Sequence, residues 1–187
     1  MSYPEWYAKA SAPFRGRVAL WLFRLFHCAL IGAFVGEYTA IVCALFYKRH
    51  YLDLIDYDIA PSFQNISPIA AIVIPSFAVI LTLVVRKALD KPRPFDAYDV
   101  QPLFAREIAK ARKHGKSLPS LSMTCATMTA LLTGVSWQEP RVYAVQVLLC
   151  AAFAFTTIVG GEHFPRDIAF AVALSLVCGL VGFAIVL

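Results

Sequence analysis

Five apolar blocks in the chain are each about as long as a helix must be to cross the hydrocarbon core of a bilayer. Polar segments separate them, and they cover residues 18–47, 66–85, 121–137, 142–160 and 168–187. Hydrophobic residues make up 59% of the 187 positions and charged residues only 16%, a balance that a water-soluble domain of this length would not show. The sequence therefore predicts an all-α integral membrane bundle of about five to six transmembrane helices, forming a single domain over residues 1–187.

The polar segments between the blocks predict how the bundle meets the membrane surface. Residues 1–17 combine aromatic and basic side chains, without the apolar core and cleavage site of a signal peptide, so we expect an interfacial helix. Residues 86–120 form a basic loop. If this loop only flanks a membrane span, it is either a cytoplasmic segment that obeys the positive-inside rule or a segment that contacts anionic lipid headgroups. We expect no nucleic-acid partner. The orientation of the chain in the membrane is left open.

Several polar or reactive side chains lie within the apolar blocks. Arg24 and His27 are one helical turn apart in the first block, which also contains Glu37. They either pair inside the bundle or extend to a membrane interface, and we expect a structural role for them. The five cysteines show no metal-ligand spacing and are interpreted as small buried hydrophobic residues: Cys28, Cys43, Cys125, Cys150 and Cys178. No metal site and no cofactor are predicted from them.

The first candidate cluster for chemistry closes the second apolar block. Residues 86–94 have the sequence RKALDKPRP and place four cations within eight positions. Such a cluster attracts anions, and the arginines Arg86 and Arg93 can each hold a phosphate through two parallel hydrogen bonds. Taken alone, the cluster is equally well explained as a basic flank of a membrane span.

A second cluster opens the third apolar block with the sequence SLPSLSMT, residues 117–124. Ser120 or Ser122 is a natural N-cap, and the N-terminus of a helix offers free N–H groups and a positive dipole end to a phosphate. Ordinary helix capping explains these serines without any ligand.

The third cluster, GGEHFPRD, joins the last two blocks at residues 160–167. Pro165 suits the first turn of the final helix, which would place Asp167 in that turn and His163 just before it. At that spacing a carboxylate can hold an imidazole, so a His and an Asp at the mouth of a membrane bundle are candidate functional residues.

Together and in this order, the three clusters resemble the motifs of the type 2 phosphatidic acid phosphatase superfamily, whose members include relatives of the vanadium haloperoxidases. Arg86, followed after six residues by Arg93-Pro94, is similar to the first motif, which begins with Lys. Pro119-Ser120 match the start of a Pro-Ser-Gly-His motif, and His163 with Asp167 match the end of the third motif. Two positions depart from the family pattern. Ser122 replaces the second-motif His, and Thr156-Thr157 replace Ser-Arg at the start of the third motif.

The resemblance implies a role for each matched residue. His163 would attack phosphorus and form a phosphohistidine, with Asp167 orienting its ring. The phosphoryl oxygens would be bound by Arg86, Arg93 and the helix end formed by Ser120 and Ser122, and water would hydrolyse the intermediate without a metal or other cofactor. His114 is a candidate replacement for the missing acid, and Arg166, or less favourably Arg141, for the missing arginine.

The resemblance also implies a membrane phosphatase acting on a lipid phosphate or a polyprenyl diphosphate, located as a multi-pass protein in a bacterial inner membrane. Because the alcohol of Ser122 holds its proton too tightly to act as a general acid, we expect a diphosphate, which releases a stabilised phosphate anion, to be preferred over a lipid monophosphate. The alternative is a pseudophosphatase that binds an anionic lipid or a partner without catalysis. A soluble-type haloperoxidase fits a chain of membrane spans less well.

Overall fold

A computed structural model describes residues 2–51, 66–98, 100–104 and 117–186, with residues 48–51 and 186 described by their backbone alone. Within these ranges the chain forms helices and no strand. The helices are α1 (Tyr3–Ser11), α2 (Arg17–Tyr51), α3 (Pro68–Leu89), the short α4 (Pro94–Ala97), α5 (Leu121–Trp137), α6 (Pro140–Val159) and α7 (Pro165–Val186), and a 3-10 turn at Ala12–Phe14 joins α1 to α2.

The long helices form a membrane bundle around α5. Four of them, α2, α3, α6 and α7, are long and apolar enough to cross a bilayer. The fifth, α5, has 17 residues, or about 25 Å of helix, and packs against each of the other four. The all-helical membrane fold expected from the apolar blocks is therefore confirmed, with the shortest block at the centre of the bundle.

The outer surface of the bundle is apolar. Large hydrophobic side chains are widely exposed on all four of the surrounding helices, among them Trp21, Phe77, Leu148 and Ile185. An exposed apolar surface of this extent is unfavourable in water and suits contact with lipid chains. The protein is an integral membrane protein.

Glycines allow α7 to approach its neighbours closely. A Cβ atom built on Gly179 would lie 2.6 Å from Leu131 of α5, and one built on Gly182 would lie 2.7 Å from Ile74 of α3. Small residues at such positions let membrane helices approach closely, and packing then replaces the hydrophobic effect as the source of association.

Local sequence explains where the helices begin. The hydroxyl of Ser67 accepts a hydrogen bond from the N–H of Ile69, and Pro68 follows as the first residue of α3. Proline is also the first residue of α6 and α7. A backbone N–H at this position would have no hydrogen-bond partner within the helix, so its absence in proline costs nothing. Pro75 lies within α3 and does not end it. One difference from the sequence prediction is that α3 continues to Leu89, so the first part of the expected loop at 86–120 is helical and includes Arg86.

Candidate functional site

The three polar clusters meet at one end of the bundle. The N–H of Ser117, in the second cluster, donates to the carbonyl of Lys91 in the first cluster at 2.9 Å. The N–H of Ser120 donates to the carbonyl of Asp167 in the third cluster at 3.2 Å. Backbone hydrogen bonds therefore join segments that are far apart in the sequence, at the N-terminal end of the central helix α5.

His163 and Asp167 lie at the centre of this end and are both buried, with 3% and 0% of their surfaces exposed. Asp167 falls in the first turn of α7 and His163 just before it, as the position of Pro165 predicts. Nδ1 of His163 lies 3.8 Å from Oδ2 of Asp167, which is too long for a hydrogen bond.

The hydroxyl of Ser117 occupies the space between the imidazole and the carboxylate. Its Oγ lies 3.3 Å from Nδ1 of His163 and donates a short hydrogen bond to Oδ2 of Asp167. The same carboxylate oxygen accepts a hydrogen bond from the N–H of Phe164 at 3.1 Å. Ser117 is fully buried, so water does not compete for these contacts.

The surroundings of His163 favour its neutral form. Burial lowers the pKa of His163 below its ordinary value of 6.5, because an imidazolium loses its hydration there. Asp167 opposes this change, and the charge of Arg93 adds to it. The ring is therefore neutral at neutral pH, as a nitrogen nucleophile must be.

The two expected arginines lie on the first segment. Arg93 is 7% exposed, caps the N-terminus of α4 and is close enough to His163 for its charge to affect the histidine pKa. Arg86 lies half-buried in the last turn of α3, and its role in phosphate binding stays a prediction.

The two expected serines lie on the first turn of α5. Ser120 is the N-cap, and its fully buried hydroxyl accepts from the N–H of Met123. The hydroxyl of Ser122 lies 3.3 Å from that of Ser120, and Ser122 is half-exposed. The structure thus brings Arg93 and Ser120 into the neighbourhood of His163 and Asp167.

The residues proposed as replacements have different locations. The Nε of Arg166 lies 3.6 Å from Oδ1 of Asp167, with the guanidinium over the ring of Phe164, and the Arg166 side chain is 63% exposed. Arg141 lies at the start of α6, at the opposite end of that helix from the candidate site, and this position does not support a replacement role. His114 lies outside the described residues.

Thr156 and Thr157, which the resemblance aligns with a Ser-Arg pair, form hydrogen bonds within their own helix. Both hydroxyls donate to the carbonyl of Phe153. Thr156 also contacts Nδ1 of the buried His27 at 2.9 Å, while Arg24 donates to the carbonyl of Leu103 at 2.6 and 2.9 Å. These two polar residues of α2 thus have partners inside the protein.

An apolar groove leads from the candidate site along the membrane-facing side of the bundle. Its volume is about 650 Å³. Residues of α2 and α3 form its two walls and residues of α5 form its floor, and Phe153 of α6 completes the lining. Ser122 lines the end of the groove at the first turn of α5, and Val35 and Ile80 on the walls are 61% and 59% exposed. The groove therefore opens toward the lipid and ends beside the polar cluster.

A family model described as the PAP2 superfamily matches residues 67–187, which include all three polar clusters and the four helices α3, α5, α6 and α7. The chain belongs to the PAP2 superfamily. None of the curated proteins matches it.

Two solved structures share the PAP2 fold of this chain. Aquifex aeolicus LpxE superposes with a TM-score of 0.65 at 17% identity, covering 96% of this chain and 93% of the other. The first transmembrane PAP2 type phosphatidylglycerolphosphate phosphatase from Bacillus subtilis superposes with a TM-score of 0.68 at 15% identity, covering 97% and 83%. Both similarities extend over nearly the whole chain, so the PAP2 fold includes the N-terminal part that the family model does not match.

Two features of the candidate site were missed by sequence reasoning. Ser117 is separated from His163 by 46 positions, and no local pattern pairs them. The second feature is α1, which packs against the candidate site. The ring of Tyr3 lies 4.8 Å from that of Phe164, and the hydroxyl of Tyr7 donates to the carbonyl of Gln101 at 3.1 Å. The aromatic residues predicted an interfacial helix but not this contact.

Proposed function

We propose that the protein is a phosphatase that hydrolyses a lipid phosphate or polyprenyl diphosphate through a phosphohistidine on His163. The observation that supports this most is the position of His163. It is buried and neutral, and it lies beside Asp167 and close enough to Arg93 for that charge to affect its pKa. Asp167 is joined by a backbone hydrogen bond to Ser120, the N-cap of α5, and Ser122 of the same helix turn lines an apolar groove.

The proposed nucleophile is Nε2 of His163. The described contacts of the ring nitrogens with Ser117 and Asp167 all involve Nδ1, so the lone pair of Nε2 is available for attack on phosphorus. The bond from phosphorus to the leaving oxygen breaks as the N–P bond forms. Water then attacks the phosphohistidine, releasing phosphate and restoring the imidazole, and this scheme requires no metal or other cofactor.

Positive charge around the phosphoryl group would stabilise the transition state. Arg93 carries a fixed charge near His163, and Arg86 is proposed to contribute a second one. The N-terminus of α5, capped by Ser120, adds the positive end of a helix dipole. Charge developing on the phosphoryl oxygens is stabilised by groups already held in place, which is the main source of catalysis in phosphoryl transfer.

The substrate preference follows from Ser122. This alcohol lies where the family has a histidine acid, and it cannot protonate a leaving alkoxide at neutral pH. A diphosphate releases a phosphate anion that needs less protonation. We therefore propose a lipid diphosphate as the preferred substrate over a lipid monophosphate.

The groove supports a lipid as the carrier of the phosphate. It is mainly apolar, opens toward the membrane and ends at Ser122, so a hydrocarbon chain in it would bring its headgroup to the polar cluster. The Bacillus subtilis protein of the same fold is described as a phosphatidylglycerolphosphate phosphatase. We also propose that residues 1–187 act as one membrane domain in a bacterial inner membrane.

Phosphate release by the purified full-length chain tests this function. The panel contains polyprenyl diphosphate, polyprenyl monophosphate, phosphatidic acid and phosphatidylglycerol phosphate, each assayed beside His163→Ala. We expect release that is abolished in the variant and fastest for the diphosphate. Arg93→Ala should lower kcat/KM about 10²- to 10³-fold, whereas the matched control Arg141→Ala, at the far end of α6, should retain the wild-type value.

The competing function is a pseudophosphatase, which the alcohol at Ser122 favours. In that case none of the four lipids would release phosphate, although the protein would still bind them. Equal or faster turnover of phosphatidic acid would instead retain a phosphatase but contradict the preference for a diphosphate.

A further inference from the structure

Ser117 lies between His163 and Asp167, and its contacts determine which atoms carry the hydrogens of the serine hydroxyl and of the imidazole ring. A carboxylate only accepts hydrogen bonds, and a serine hydroxyl has a single hydrogen to donate. That hydrogen goes to Oδ2 of Asp167. The contact of 3.3 Å between Ser117 Oγ and Nδ1 of His163 can therefore be a hydrogen bond only if Nδ1 carries the hydrogen.

The backbone holds Ser117 in this position independently of His163. Its N–H is bonded to the carbonyl of Lys91 at 2.9 Å, and Ser120 is bonded through its N–H to the carbonyl of Asp167. The Asp167 carboxylate is held in turn by the N–H of Phe164. Ser117 and Asp167 are both fully buried, so the hydroxyl lies at a fixed position between the two side chains.

We propose that Ser117 is a positioning residue that selects the reactive tautomer of His163. By accepting a hydrogen bond from Nδ1–H and donating one to Asp167, Ser117 leaves the lone pair on Nε2, since the hydrogen bond at one ring nitrogen decides which nitrogen is protonated. This inference rests on the proposed function, because it explains how the nucleophile of that reaction is prepared.

The hydrogen bonds that link His163 through Ser117 to Asp167 transfer no proton during the reaction. When Nε2 forms its bond to phosphorus, the ring becomes a phosphoimidazolium and Nδ1–H becomes more acidic. The hydrogen bond to Ser117 and the charge of Asp167 behind it stabilise this cation. The proton stays on Nδ1 throughout. When water attacks phosphorus and the N–P bond breaks, the bonding electron pair returns to Nε2, so the neutral Nδ1–H ring is restored.

In a purely structural role, the Ser117 hydroxyl would only donate a hydrogen bond to the Asp167 carboxylate, and the tautomer of His163 would not depend on it. The tautomer of His163 distinguishes these roles, because only the proposed role makes it depend on the hydroxyl. It can be measured without substrate by nitrogen-15 NMR of the full-length chain, labelled at its four histidines and held in lipid nanodiscs. A His163→Gln variant assigns the signals of His163.

At neutral pH we expect wild-type His163 to be protonated at Nδ1 and unprotonated at Nε2. Ser117→Ala should give a mixture of both tautomers, and Ser117→Thr, which retains the hydroxyl, should restore the wild-type spectrum. Ser117→Ala should also lower kcat about 10- to 100-fold, by analogy with the loss of a hydrogen bond that orients a metal-binding histidine, with KM nearly unchanged. Should the alanine variant fail to fold, Ser117→Cys, with a similar volume and a weak donor, should give the same mixture.

An identical His163 tautomer in the wild type and in whichever of the alanine and cysteine variants folds would overturn the proposal, even if kcat fell. So would a wild-type ring protonated at Nε2. The NMR result also separates this inference from the proposed function. A wild-type protein that releases no phosphate contradicts the phosphatase, whereas the role of Ser117 in selecting the tautomer is decided by the spectra alone.

Discussion

At the scale of single residues, the proposed chemistry depends on the side chain at position 122. Ser122 lies half-exposed at the end of the groove, with its hydroxyl 3.3 Å from that of Ser120. It is therefore beside the N-cap of α5 with open space next to it. An imidazole at this position would have room, and it would supply the proton donor that an alcohol cannot provide at neutral pH.

We expect Ser122→His to increase the turnover of a lipid monophosphate about 10²-fold, the lower end of the range that general acid catalysis provides. Turnover of a diphosphate should change much less, because its leaving group needs less protonation. Phosphate release from the two lipids measures both rates. The matched control is Ser76→His, which places an imidazole on the α3 wall of the same groove. An equal gain in both variants would contradict the assignment of position 122.

The lowered pKa of His163 predicts how stability depends on pH. Unfolding returns the ring to its ordinary pKa of 6.5, whereas burial keeps the folded value lower. Between these two values the unfolded chain binds the extra proton, so stability falls as the pH decreases from about 6.5. For each unit by which the folded pKa of His163 lies below the unfolded pKa, the full decrease in the free energy of unfolding on acidification is about 1.4 kcal/mol.

Thermal melting of the detergent-solubilised protein between pH 7.5 and 5 tests this expectation. His163→Gln should lose less stability over this range than the wild type, because glutamine does not titrate. The other charged groups near His163, namely Arg93, Glu162 and Asp167, are present in both proteins. Parallel melting curves would show that His163 is not buried in its neutral form.

At the scale of helices and loops, the docking of α1 depends on Gly161. This residue has a φ of +80° and lies in the turn between α6 and α7, and a Cβ atom there would be 2.8 Å from the hydroxyl of Tyr7. Glycine is therefore required twice, once for the left-handed backbone and once for the close approach of α1. The same turn leads directly into His163, so the backbone that holds α1 also positions the candidate nucleophile.

Gly161→Ala should destabilise the protein by at least about 1–2 kcal/mol, the cost of a left-handed conformation for a residue with a Cβ. It should also reduce activity, because the turn and Tyr7 must both move. The control is Gly36→Ala in α2, where a Cβ would meet no atom within 4 Å and alanine favours the helix. Melting temperature and kcat are measured for both variants, and equal melting temperatures would contradict the role of Gly161.

At the scale of the whole molecule, much of the fold follows from the sequence. Each of the five apolar blocks forms a helix, and the clusters at their ends meet, because spans of similar length return the chain to the same membrane surface. The prolines at positions 68, 140 and 165 mark three of the helix starts. The pairing of His163 with Asp167 could also be predicted, because the two residues are four positions apart.

Contacts between distant segments could not be predicted in this way. Ser117 reaches His163 only because α5 is the central helix, and sequence patterns do not specify which helix is central. The position of α1 depends on single contacts such as that of Tyr7 with Gln101, which an amphipathic pattern does not encode. The sequence also makes Arg141 a candidate replacement cation, but the direction of α6 puts it at the opposite end of that helix from the candidate site.

The groove predicts a dependence on the length of the lipid tail. Cys125 lies on the groove floor, one helical turn from Ser122, and Cys125→Trp should obstruct a bound chain. Losing contact with about two methylene groups corresponds to about 1.6 kcal/mol, or roughly a tenfold lower kcat/KM for a long-chain lipid. A short-chain, water-soluble substrate should be nearly unaffected. Cys43→Trp, on the exposed surface of α2 outside the groove, is the control, and equal losses in the two variants would contradict a tail in the groove.

The central claim is that His163 becomes covalently phosphorylated, and trapping the phosphoenzyme tests it most directly. The full-length protein is mixed with polyprenyl diphosphate labelled in its terminal phosphate, quenched in alkali within milliseconds to preserve phosphohistidine, digested and analysed by mass spectrometry. Our account predicts a phosphorylated peptide containing His163 that appears before free phosphate and is absent from His163→Ala. Phosphate release at the normal rate without a phosphorylated His163 peptide, or from the His163→Ala variant, would contradict it.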